Sequence, residues 1–136
     1  MITQAELVAS ARNYLRAARM LNRQASNSPD VAAYLCGYSI EMALKARICQ
    51  TIGWAGYPET GAEFREYGSF KTHKLDVLLH LSGYEGRIKS HPSLPADWSI
   101  VLLWNPEQRY AHVGSKTVAE ARDMIEASGR LLRTLL

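Results

Sequence analysis

Between Ser28 and Gly53 the alternation of apolar and polar positions nearly disappears. Val31, Leu35, Tyr38, Met42, Cys49 and Ile52 recur at helical spacing. Ala33, Tyr34, Cys36, Ile40 and Leu44 widen that stripe until little polar surface is left. From Val31 to Leu44 the only charge is Glu41. A helix that is apolar nearly all round belongs inside a bundle, wrapped by the others. Its ends are marked as well. Ser28 as N-cap, Pro29 at the first helical position and Asp30 in the first turn open it, and Gly53 stops it. Glu41 and Lys45 stand one turn apart and are expected to pair near the core, because a buried charge needs a partner.

The pattern on either side adds further helices. Thr3-Gln4-Ala5-Glu6 is a capping box. It opens a first helix to about Gln24, with Leu7, Ala11, Tyr14, Leu15, Ala18 and Leu21 as the inner stripe. Gly53 to Phe70 is a glycine-rich connection long enough to carry function or hide a short helix, with Ala62 to Tyr67 able to make a turn or two. A third helix is expected to begin at Thr72-His73-Lys74-Leu75-Asp76, with Leu75, Leu78, Leu79 and Leu81 inward, and to close at Gly83. His73, at that helix start, is given an N-terminal or capping role. Tyr84 to Pro95 reads as another connection, broken by Pro92 and Pro95.

A fourth helix spans roughly Ala96 to Trp104 and ends near Asn105-Pro106. Asn105 to Lys116 is a loop or helix restart. A second capping box, Thr117-Val118-Ala119-Glu120, opens the last helix. Val118, Ala121, Ile125, Leu132 and Leu135 form its inner stripe, and Gly129 marks a close helix approach. No strand, repeat or low-complexity tract is apparent. The expected fold is all-α, a single domain over 1–136, built as an up-and-down bundle of four main helices plus short helices.

At 136 residues the chain can bury a real core. Its net charge of +3 is compatible with an anionic partner without demanding one. Cys36 and Cys49 lie on one predicted helix, about 20 Å apart at 1.5 Å per residue, so they read as reduced core thiols. That favours the cytosol. No signal peptide is visible, and the longest aliphatic run, Ile100 to Trp104, is too short for a bilayer. A cytoplasmic protein without membrane contact is the expectation.

Most catalytic templates fail. There is no glycine-rich phosphate loop, no HExxH, no CxxC pair and no Gly-x-Ser-x-Gly elbow. His73, His80, His91 and His112 lack metal-ligand spacing, so neither a metal nor another cofactor is expected. Two stretches stand out instead. Arg12, Arg16, Arg19 and Arg23 line one face of the first helix. They are either a phosphate-tracking, RNA-binding surface or a solvated face paired with acids on neighbouring helices.

The second stretch, Trp104 to His112, holds Arg109, Tyr110 and His112 within four positions. Arginine can clamp a phosphate and stabilise the charge that develops during its transfer. Histidine can deprotonate a ribose 2′-hydroxyl or protonate a leaving oxygen. Together they would suffice for metal-independent RNA cleavage. Arg109 is also expected to pair with Glu41 and so be locked to the central helix. Tyr34, Tyr38, Trp104 and Tyr110 could line a small-ligand pocket, although aromatics at helical spacing are more often core.

Three segments carry a family resemblance. Ile40-Glu41-Met42-Ala43-Leu44-Lys45-Ala46 resembles the E-x-x-L-K-A core of HEPN domains. Phe70-Lys71-Thr72-His73-Lys74-Leu75 resembles their T-H-x-L helix start, and Arg109-Tyr110 before a capped final helix is similar to their R-Y signature. The order matches and covers most of the chain. The resemblance implies an all-α bundle, usually a homodimer, with the arginine region near the dimer cleft. Many members are metal-independent endoribonucleases of toxin–antitoxin, phage-defence or RNA-processing systems. Others accompany a small nucleotidyltransferase, in effect its toxin partner, or are thought to bind nucleotides. By this analogy Arg109 contacts phosphate and Glu41 supports it, with Lys45 and Tyr110 beside the RNA. His112 departs from the pattern, since family ribonucleases place four to six residues between arginine and histidine, and here there are two.

Overall fold

A computed structural model describes residues 1–23 and 28–136. The all-α bundle expected from the sequence is present. Its helices are α1 (Gln4–Arg23), α2 (Pro29–Ile52), α3 (Leu75–Ser82), α4 (Glu85–Lys89), α5 (Leu94–Val101) and α6 (Val118–Leu135). Three of them are long, and α5 takes the fourth place by packing along α6. Among the described residues, no helix is long and apolar enough to cross a membrane. The proposed end of the first helix at Gln24 lies outside the described residues.

The middle of the bundle is α2, against which α1, α3 and α6 all pack. Its buried side is made mostly of small residues, among them Ala32, Ala33, Gly37, Ala43 and Ala46, with Cys36, Ile40 and Leu44 between them. Small side chains let neighbouring backbones come close. Ser39 uses that proximity to donate a 2.6 Å hydrogen bond to the Ala11 carbonyl of α1. The expected stripe needs correction at its ends. Val31 is 48% and Ile52 43% exposed, because both sit in terminal turns where fewer neighbours cover the helix. Leu35, Tyr38 and Met42 are half-buried.

The helix ends follow local chemistry in most places. In the first capping box the Glu6 amide donates to Thr3 Oγ1 at 3.2 Å and the Thr3 amide to Glu6 Oε2 at 2.8 Å. The second, between Thr117 and Glu120, is complete as well. Gly53 and Gly83 adopt the left-handed conformation, at φ 73° and 76°, and end α2 and α3. Ser28 differs from expectation. It stands at the N-cap of α2, but its side chain makes no capping hydrogen bond.

Four further expectations change. Ile2–Thr3 (β1) and Gly56–Tyr57 (β2) form a two-residue antiparallel pair, too short to leave a period-2 pattern. The supposed connection from Tyr84 to Pro95 contains α4, and α5 starts at Leu94 with Pro95 in its first turn, where a proline costs no hydrogen bond. The first turn of α3 begins at Leu75, after His73 rather than at it. His73 therefore does not cap it.

Long-range polar contacts then fix the pieces. Asp97 of α5, only 4% exposed, takes both arms of the Arg130 guanidinium of α6 at 2.9 Å. The Arg47 guanidinium of α2 donates to the Leu135 carbonyl at the end of α6. Cys36 and Cys49 are free and buried, and burial pushes the Cys36 thiol up to about 12. At Gly129 an added Cβ would lie 2.9 Å from Arg19 Nη2 and 4.0 Å from Leu15 Cδ2, so α6 does approach α1 closely there.

The tightest constraint is Gly37, where any Cβ would overlap the Trp104 ring. Replacing Gly37 with alanine gains helix propensity but forces the indole out of its seat. The expected outcome is a net loss of about 1–3 kcal/mol in urea unfolding, with the m-value unchanged.

Candidate functional site

The loop between α5 and α6 is clamped at both ends to α2. At its start Trp104 is buried against Gly37, with its ring 5.2 Å from that of Tyr38. Asn105 then caps a 3-10 turn, Pro106–Tyr110, by accepting from the Glu107 amide at 2.9 Å. At the far end Asp30 accepts from the Gly114 and Lys116 amides, both at 2.6 Å, and from Ser115 Oγ at 3.2 Å. Gly114 has a φ of 91°, which lets the chain turn under that carboxylate. The Gly114 hydrogen bond, more than any other contact, holds the Asp30 carboxyl below its ordinary value. Asp30 thus organises a loop 84 residues away instead of serving its own helix start.

Arg109 projects from the 3-10 turn into solvent, its guanidinium 4.8 Å from the centre of the Tyr110 ring. It lines a cleft of about 510 Å³ together with Ser28, Pro29, Asp30, Tyr34 and Val113. His112 is exposed on the same loop, close enough to Asp30 for its charge to contribute to the lowered carboxyl. The apolar side chains around them are unusually bare. Leu103 is 74%, Tyr110 73% and Val113 95% exposed.

The expected pair of Arg109 with Glu41 does not form. Arg109 sits at the level of Tyr34, two turns of α2 away from Glu41, or about 10 Å along the axis. Glu41 is 1% exposed and instead accepts on Oε1 from Lys45 Nζ at 2.7 Å, as expected, and bonds His73 Nδ1 at 2.8 Å. Lys45 is consequently turned inward, 14% exposed, and also lies 5.2 Å over the Tyr57 ring. Tyr34, Tyr38 and Trp104 pack on one another with centroids 5.1–6.2 Å apart, and the outer edge of Tyr34 lines the Arg109 cleft. Tyr110 stays outside that cluster.

Arg12, Arg16, Arg19 and Arg23 are all exposed. Among the described residues none of them forms an ion pair, which disfavours the reading of a face neutralised by neighbouring acids. Reading from sequence missed two companions on α6, Arg122 and Arg133. They lie eleven positions apart, hence on one face, and that spacing was the available signal. Arg12, Arg19 and Arg133 line one groove of about 270 Å³. Arg19, Arg23 and Arg122 line another of about 310 Å³, with Glu126 as its acid. No group of three or more candidate metal ligands gathers among the described residues. The chain matches no family model, no curated protein and no solved structure.

Two outcomes follow from this geometry. The Asp30 anchor works only as carboxylate, and its folded pKa lies below the ordinary 3.8. Its contribution is therefore complete above that value and lost as pH falls through the lowered one. The Gly114 and Lys116 amide resonances should titrate together with a midpoint below 3.8, and Asp30→Ala should abolish that titration. Glu41→Ala strands Lys45 near the core. We expect a loss of about 3 kcal/mol, the low end for a broken buried pair because the lysine can reach water, measurable by chemical denaturation.

Proposed function

We propose that this chain is a cytoplasmic HEPN-like module that acts on RNA or nucleotides and cleaves RNA without a metal. The observation that carries the reading is the surface of α1 and α6 on which five arginines, Arg12, Arg19, Arg23, Arg122 and Arg133, line two grooves. Unpaired guanidinium groups in two adjoining grooves suit a phosphate backbone, which rewards each neutralised phosphate by releasing counterions. The exposed Arg109 loop then supplies chemistry. Arg109 stabilises charge on the phosphate, His112 accepts the 2′-hydroxyl proton as the oxygen attacks phosphorus, and the P–O5′ bond breaks with the 5′-oxygen taking a proton from water. The short spacing of the two matters less on a loop pinned by Trp104 and Asp30 than it would on a regular helix. Tyr110, bare beside Arg109, offers a face on which a base can stack.

A second reading rests on Leu103, Tyr110 and Val113. Apolar side chains this exposed suit a protein partner. The module would then be a non-catalytic homodimer that docks a nucleotidyltransferase or other separately encoded enzyme, as one half of a toxin–antitoxin or defence pair.

The test is incubation of a mixed RNA pool with the purified protein in EDTA. Cleavage lost in both Arg109→Ala and His112→Ala, with unchanged melting temperature, is the expected result. Cleavage that survives both substitutions overturns the site. No cleavage at any concentration selects the second reading. The arginine surface has its own readout. Replacing Arg12, Arg19 and Arg133 with alanine should lower the slope of log affinity against log salt by about 2, at roughly 0.7 per phosphate contact.

A further inference from the structure

The Glu41 carboxylate, at 1% exposure, is costly to bury, and its second oxygen, Oε2, has no hydrogen-bond partner among the described residues. Its other oxygen organises two basic side chains at once, Lys45 and His73. Because His73 is held through Nδ1, its Nε2 is left without a partner among the described residues, on a side chain 61% exposed. A buried carboxylate that fixes one ring nitrogen and presents the other is a device for positioning an imidazole.

The imidazole is presented to a cleft. His73, Lys45, Lys71 and Thr72 line one side of a cavity of about 360 Å³, and Tyr57 and Phe64 form apolar walls. That volume falls in the range of small-molecule sites. The walls are firm, since Tyr57 is 1% exposed and its hydroxyl donates to the Phe70 carbonyl at 2.6 Å. Lys45 and Glu41 neutralise each other, so Lys71 supplies the positive charge, with Glu59 as the acid on the lining.

We propose that this cleft binds a small organic anion with a planar apolar body. The head, a phosphate or carboxylate, is held by Lys71, the Thr72 hydroxyl and the Nε2 edge of His73, whose Nδ1 is held by Glu41. The body lies against Phe64, whose ring is half-buried and backed by the buried Tyr57. None of these residues lines the Arg109 cleft, so the inference does not rest on RNA cleavage.

The experiment is a titration of the isotope-labelled full chain with phenyl phosphate, followed by amide chemical shifts. Inorganic phosphate and phenol serve as controls, and benzoate distinguishes a carboxylate head from a phosphate. Saturable shifts at Lys45, Tyr57, Thr72 and His73 are expected, from phenyl phosphate, benzoate or both. His73→Ala should weaken binding about tenfold, as for loss of one charge-assisted hydrogen bond. Lys71→Ala, at an exposed position that leaves the fold intact, should weaken it by a similar factor. No localised shifts from either aromatic anion, or affinity unchanged in both variants, overturns the site. Equal affinity for inorganic phosphate alone overturns the role given to the apolar walls.

Discussion

Everything in this molecule is arranged around the need to cover α2 on nearly all sides. An apolar helix gains most by burial, but burial on several faces demands that its neighbours come close. Alanine and glycine make that possible along α2, where α1, α3 and α6 pack. The missing side chain of Gly37 is filled by the Trp104 indole, so the loop before α6 starts at the surface of the central helix. Asp30 at the other end of that contact region gathers three donors from 114–116. The same helix thus supplies both the core and the two anchors that position Arg109 and His112.

Charge is distributed with equal economy. The two deeply buried carboxylates, Glu41 and Asp97, each hold a basic group that joins separate parts of the chain. Asp97 fixes α5 to α6 through a bidentate arginine. Glu41 ties α2 to the segment before α3 through His73. The arginines of α1, with Arg122 and Arg133 of α6, are left facing water instead. A structural ion pair and an unpaired basic groove have different uses, the first to define geometry and the second to attract an anion. The three surfaces of interest, the basic grooves, the Arg109 loop and the His73 cleft, lie on different combinations of elements around one rigid helix.

Much of this was written locally. The capping boxes at Thr3 and Thr117 and the left-handed stops at Gly53 and Gly83 involve atoms a few residues apart, and all four occur where the residue types place them. The central position of α2 follows from its lack of a polar face. The candidate site was legible in part. The loop with Arg109 and His112 and the arginines of α1 are recognisable in the sequence, whereas Arg122 and Arg133 join them only because α6 packs beside α1.

What resisted reading were choices among partners distant in the chain. Glu41 had to have a cation, and Lys45 one turn away was the local answer, but His73 and Arg109 were equivalent as sequence. The path of 53–74 brings His73 to Glu41, while the Trp104 seat keeps Arg109 at the level of Tyr34. Asp30 looked like an ordinary first-turn acid until a backbone 84 residues away approached it. The β1–β2 pair likewise exists only because two short segments meet. Propensity, capping and amphipathicity act within a few residues and set the elements and the inner helix. Which charge meets which, and which side chains share a cleft, depends on packing distances that no local pattern encodes.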